Sequence, residues 1–242
     1  MLYQTDLCLA PFDASGLDSG LAVKLHGAAM RAVPQAFAGL MHTNAYHPFS
    51  IFTRQADGAA LVRISALTDE ARAVPEALSG QPFLRIFGAG GPIDISVIAQ
   101  QTAAPLPLSA LEDRVPAQGC RLEFASPAMI RIKSQPCAVP EPAAYFYSVI
   151  RKYELFAGGG LSYPEFQEAF RAVRFGAFQL RSDSYDVTGR RFPGMSGFCE
   201  LLFPRDLRQN RLLRRTLAYA AYSGVGSRTA QGMGGILIAP LT

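Results

Sequence analysis

No run of apolar residues in this chain approaches the roughly 18 to 20 that a membrane helix requires. The first residues, MLYQTDLCLAPFD, carry acids where a signal peptide would carry bases. These two absences lead us to expect a soluble, cytoplasmic protein with no membrane partner. Cysteine is sparse: Cys8, Cys120, Cys137 and Cys199 stand far apart, with no CxxC or CxH spacing. Neither a zinc site nor a disulfide framework is suggested, and the four read as buried, reduced thiols. No metal and no cofactor is implied. Histidine is scarcer still, with His26, His42 and His47 the whole supply.

What is present is a foldable composition. Of 242 residues, 49% are hydrophobic and 17% charged, with a mean hydropathy of +0.13. That length covers one to two domains and excludes disorder for most of the chain. Charge is distributed unevenly. Residues 1–113 hold six Lys and Arg against ten Asp and Glu, a balance of −4, whereas residues 114–242 hold seventeen against nine, a balance of +8. A basic second half is the electrostatic footprint of a nucleic-acid binder, because Lys and Arg attract phosphate over long range; an arginine-rich solvated surface would read the same way.

The first half reads as strand, helix, strand, strand, helix, strand. Leu7 and Leu9 alternate near the start, and a helix fits residues 18–40 with Leu21, Leu25, Ala28, Ala29 and Ala32 at helical spacing. PFSIF and ALVRISAL form a strand pair around Asp57-Gly58, a hairpin turn signal. TDEARAVPEALSG follows as a helix capped by Thr68, and FLRIFG and IDISVIAQ close the unit. Residues 101–118 contain three prolines and little periodicity and read as a linker. The second half repeats the plan: CRLEFASPAMIRIK, two helical segments, FQLRSDSYDVTGRRF and GFCELLF around a turn, the helix LRQNRLLRRTLAYAAY, and GGILIAPL. The expected fold is α+β, two tandem ferredoxin-like βαββαβ domains over residues 1–105 and 119–242.

The segment after the last helix is the most distinctive. Gly224, Gly226, Gly232, Gly234 and Gly235 are interleaved with Ser227, Arg228 and Thr229. Such a loop can adopt positive φ and expose N–H groups to phosphate. No GKS or GKT closes it, so it is not a P-loop, and its place between helix and strand excludes a dinucleotide fingerprint. By physics alone a tight helix-to-strand connection competes evenly with an anion-binding loop.

GVGSRTAQGMGG, at that place in a double ferredoxin-like plan, resembles the signature loop of the RAMP superfamily of CRISPR-associated proteins. Within it the whole chain resembles the repeat-cleaving endoribonucleases: SPAMIRIK is similar to their strand opening the second domain, and LMHTNAYHPFSIF to the segment around their histidine. The resemblance implies metal-independent cleavage of CRISPR repeats in precursor RNA, leaving a 2′,3′-cyclic phosphate and a 5′-hydroxyl. It implies precursor and mature guide RNA as partners, together with other effector subunits. The alternative within the superfamily is a subunit that binds guide RNA without cleaving it.

His42 falls where the family's catalytic histidine stands. Near Met30 some relatives carry a tyrosine, whose proton chemistry would here pass to His26, His47, Lys24 or Arg31. Histidine suits proton transfer near neutral pH. For RNA binding, Arg208, Arg211 and Arg215 share one face of the last helix, Arg190 and Arg191 sit at a hairpin tip, and Lys24 is a further cation. The glycine loop completes the set with Gly224, Gly226, Ser227, Arg228, Gly232 and Gly234. Tyr145, Phe146, Tyr147, Tyr153 and Phe156 read as core.

Overall fold

The computed structural model describes residues 1–10, 20–56, 58–88 and 90–241, with the side chains of His42 and Ala56 outside that description. The first half contains β1 (Tyr3–Leu9), α1 (Leu21–Ala32), α2 (Gln35–Thr43), β2 (Phe49–Ala56), β3 (Ala59–Ala66), α3 (Ala73–Ala77), β4 (Phe83–Gly88) and β5 (Gly91–Thr102). Its antiparallel sheet has the order β2-β3-β1-β5-β4, which is the ferredoxin-like arrangement with β4 added at one edge. The second half contains β6 (Gly119–Ala128), β7 (Ile130–Ile132), β8 (Gln135–Cys137), α4 (Tyr147–Ala157), α5 (Tyr163–Arg171), β9 (Arg174–Val187), β10 (Arg190–Leu202), α6 (Leu207–Ser223) and β11 (Ile236–Ala239). Its main sheet runs β11-β6-β10-β9, the ferredoxin-like order without addition. The α+β double ferredoxin-like plan expected from the sequence is present.

Local chemistry explains the elements. Alternation along β3 sends Val62 and Ile64 into a core shared with Leu7, Leu25 and Leu84. The single helix expected over 18–40 is in fact two, because Pro34 ends α1 and starts α2; residues 18–19 lie outside the described residues. Asp57 of the turn also lies outside them, while Gly58 has φ +78°. Thr68 does cap the next turn, accepting from the Ala71 N–H at 3.1 Å. Helix α6 starts at Asp206, whose carboxylate accepts from the Gln209 N–H at 2.8 Å. Cys120 and Cys199 are buried, and burial pushes both thiols up to about 12; Cys8 and Cys137, contrary to expectation, are only half-buried.

The linker begins later than expected, since Gln101 and Thr102 belong to β5. It is also packed: Leu111 and Val115 are in the second core, and the Arg214 guanidinium donates to the carbonyls of Val115 and Glu112 at 2.8 and 2.6 Å. Each half places residues in the other's interior. Leu2 and Leu67 belong to the second core, and Ala230 of the glycine loop to the first. Among the described residues no helix is long and apolar enough to cross a membrane.

Candidate nucleic-acid interface

Two of the histidines, His26 and His47, lie together beside Phe49 in the first half. His26, in the middle of α1, stacks on Phe49 with ring centroids 5.7 Å apart, and His47, just before β2, lies 6.0 Å from His26 and 5.6 Å from Phe49. His47 Nε2 is 2.8 Å from the Met41 carbonyl oxygen. A carbonyl only accepts, so this contact requires Nε2 to carry a ring proton. His42 occupies the last turn of α2, and its side chain lies outside the described residues. Arg31 is not brought to this group: it lies over the Phe87 ring of β4 at 4.0 Å. Lys24 is half-buried and is not part of the cleft described next.

Across from His47 is a cleft of about 740 Å³. Tyr46 and His47 form one wall; Arg131 of β7, Ser148 and Lys152 of α4, Tyr147, Tyr163 and the loop residues Gly226, Ser227, Arg228 and Gln231 form the rest. No Asp or Glu lines it among the described residues. Burial raises the Tyr46, Tyr145 and Tyr163 hydroxyls, so they stay protonated donors at neutral pH. Tyr147 departs from the expectation that the aromatic helix is all core: it is exposed and meets Tyr163 edge-on at 5.1 Å. Tyr145, Phe146 and Tyr153 are buried as expected.

The glycine loop is a packed crossing, not an open cradle. The N–H groups of Gly224, Val225, Gly226, Ser227, Gln231, Met233, Gly234 and Gly235 all donate to protein oxygens. Gly226, at φ +73°, donates to the Tyr145 carbonyl and Ser148 Oγ, and a Cβ there would stand 2.2 Å from the Met129 carbonyl oxygen. At Gly234, with φ +67°, a Cβ would meet the Val225 carbonyl oxygen at 1.9 Å. Glycine is required for close backbone packing, and these N–H groups are spent within the protein. What charge the loop offers a ligand comes from the Arg228 side chain, which lines the cleft. Arg228 sits in the left-handed region at φ +61°, its guanidinium 4.3 Å from the Phe192 ring, with Nε buried and unpartnered among the described residues.

Arg228 does not stand alone. Arg190, at the base of a two-residue turn through Thr188 and Gly189, lies over the same Phe192 ring at 5.1 Å. Burial first, then the neighbouring charges of Arg131 and Arg190, push the Arg228 guanidinium below its usual range. Three like charges held together without a lining carboxylate favour an anion between them. The α6 arginines are differently placed. Arg208 pairs with Glu165 at 2.7 Å, Arg211 lies 3.9 Å from Glu112, and Arg215 turns inward to the Tyr153 hydroxyl. That face is largely self-neutralised. A second recess of about 550 Å³, beside β1 and β3, is likewise compensated, because Arg63 binds Asp6 through both carboxylate oxygens.

Sequence reasoning missed Arg131 and Lys152. Arg131 lay in a segment read only as strand, and Lys152 in a helix read as core. The available signal was Ser148 and Lys152 at i and i+4, a polar pair on the buried side of α4.

Residues 122–236 match the family described as CRISPR-associated endoribonuclease Cas6. A protein of that name from Mycobacterium tuberculosis is 27% identical over 231 residues, 91% of this chain and 72% of the relative. A Cas6 product complex is 26% identical, with a TM-score of 0.73 and 98% of each chain covered. A second Cas6 product complex, 21% identical with a TM-score of 0.74 over 98% of this chain and 99% of its own, shares the fold. The resemblance read in the sequence is borne out along nearly the whole chain.

Proposed function

We propose that this Cas6-like chain is an endoribonuclease that processes CRISPR precursor RNA by cutting within the repeat. The reaction class is supported by the relatives, which carry the name endoribonuclease. The observation that carries the reading is the cleft itself, where His47 faces a carboxylate-free wall bearing Arg131 and Arg228.

In the proposed chemistry the ribose 2′-hydroxyl gives its proton to an imidazole and its oxygen bonds to the adjacent phosphorus. The bond from phosphorus to the 5′-oxygen breaks, and that oxygen takes up a proton, leaving a 2′,3′-cyclic phosphate and a 5′-hydroxyl. His42 and His47 are the proton-transfer candidates, and His26, behind His47, orients it through the shared Phe49. Arg131 and Arg228 offset the charge that grows on the phosphate. Arg190 and the exposed Arg191 extend the cationic rim along the hairpin, where the phosphates of a repeat stem would run and where the product would be retained.

The test is a denaturing gel of repeat RNA incubated with the protein in EDTA. A single cut, with a 5′ fragment that resists 3′-end labelling until its cyclic phosphate has been opened and removed, is the expected result. Uncut RNA that nonetheless binds would instead identify a guide-binding subunit.

A further inference from the structure

Lys152 is 2% exposed, yet it belongs to the wall of the cleft. Its ammonium donates to the Ser223 carbonyl at the end of α6 and to Thr229 Oγ1 in the glycine loop, both at 2.5 Å. An ammonium has three N–H donors, and both acceptors here are neutral oxygens. Lys152 makes no ion pair among the described residues. Buried charges are ordinarily paired, because leaving water is costly without a counter-ion.

The other titratable groups that line the same cleft offer none: Arg228 from the glycine loop, Arg131 from β7, Tyr46 and His47 before β2, Tyr145 just before α4 and Tyr147 at its start, and Tyr163 from α5. Tyr219 of α6, whose hydroxyl donates to the Lys152 carbonyl, is likewise neutral. Two carboxylates on neighbouring segments are engaged elsewhere: Glu154 binds Arg151 on the exposed side of α4, and Glu141 acts on Tyr163 from outside the lining. A counter-charge for the protonated lysine would have to come from whatever fills the cleft.

Resting on the reading of this cleft as an RNA site, we infer that Lys152 is a phosphate-binding element at its floor, and that RNA binding there is linked to uptake of a proton by this lysine. A phosphodiester is the ligand class that fits, since it is anionic at every relevant pH and accepts hydrogen bonds without offering a proton. The anion completes a charge pair that the free protein lacks, and Lys152 in turn fixes Thr229 and the end of α6. Occupancy and loop position are thereby coupled through one side chain. Burial alone already lowers the free lysine to about 7, so at mildly alkaline pH the empty cleft holds mostly the neutral amine.

The test is calorimetric titration of the full chain with repeat RNA carrying 2′-deoxynucleotides, so that no cleavage heat intrudes. It is run at about pH 8 in two buffers of different ionisation enthalpy, and repeated between about pH 7 and 9. Wild type is expected to take up close to one proton per complex and to bind less tightly as pH rises. Lys152→Met is expected to lose that uptake, to bind about 10- to 100-fold more weakly at pH 7, and to show a flat pH profile. Lys152→Arg, charged at every pH, is expected to keep the affinity while abolishing the uptake, and it carries the test should Lys152→Met not fold. Equal proton uptake and equal affinity in wild type and variants would overturn the assignment of Lys152 while leaving the RNA site standing. Absence of binding by wild type would overturn the RNA reading and this inference with it.

Discussion

Both halves of the chain are built on the βαββαβ order, yet they bring opposite chemistry to the cleft between them. The first half carries the acidic balance and every histidine; the second carries the basic balance, the arginine group around Phe192 and the buried Lys152. Imidazoles do their work by changing charge near neutral pH, and a crowd of arginines on the same scaffold would hold them neutral. Arginines work by never changing charge. Placing the two on separate scaffolds that meet only across the cleft lets each keep the electrostatic surroundings it needs. Substitutions at the histidines should therefore move the rate of the chemical step with little change in affinity, whereas substitutions in the second half should move affinity or the assembly of the loop, with any effect on rate added to that.

The sharpest test of that division is at the histidines. His42→Ala and His47→Ala should each slow single-turnover cleavage by about 10² to 10⁴, with the dissociation constant of repeat RNA nearly unchanged, because general acid or base assistance is worth that much. His26→Ala should cost less. A histidine variant that binds poorly but cuts at the wild-type rate would break the comparison.

Next in size is the glycine loop, where the second half props up the first. Gly234→Val introduces a Cβ into the Val225 carbonyl oxygen at φ +67°. The expected loss of stability is about 2 to 4 kcal/mol, from overpacking and left-handed strain together. Thermal or urea unfolding reads it, and the loss should be the same with and without RNA. A selective loss of RNA affinity with an unchanged melting temperature would return the loop's N–H groups to ligand binding.

Smaller effects separate the two arginine sets. Arg131→Ala and Arg190→Ala should each weaken RNA binding about tenfold and lower the salt slope of log K by about 0.7 to 1, whereas Arg208→Ala and Arg211→Ala should change affinity by less than about twofold, being paired with Glu165 and Glu112. Filter binding across a salt series would decide it. A separate effect is on the free protein. Lys152 stands at about 7 when folded and 10.5 in the open chain, so between those values the unfolded state binds more protons and stability rises with pH. Urea melts at pH 7 and 9 should show that rise in wild type and not in Lys152→Met.

Much of this arrangement is legible in the chain because strands and helices announce themselves through neighbours a few residues away. Alternation marks β2 and β3, the 3.6 period marks α6, and Gly58 and Gly189 mark the turns. Pro34, which divides the first helical stretch, was equally local and was passed over because apolar spacing continued across it. The cleft is another matter. Arg131, Lys152 and Arg228 meet His47 from positions 84 or more residues away, and only the docking of the halves brings them together. The family's loop was visible as a motif, but its role was not. Whether an N–H faces a ligand or the Met129 carbonyl depends on what packs above it, which the motif does not contain.

Ala230 fills the first core from a position far along the chain. On a ribosome adding about 5 to 20 residues per second, the first half is complete in sequence on the order of ten seconds before Ala230 has been made. Until then the first core lacks one of its residues, and Arg131, Lys152 and Arg228 of the cleft have not all been made. Because each half supplies residues to the other's interior, the two cores reach their final packing together only when the last strands arrive.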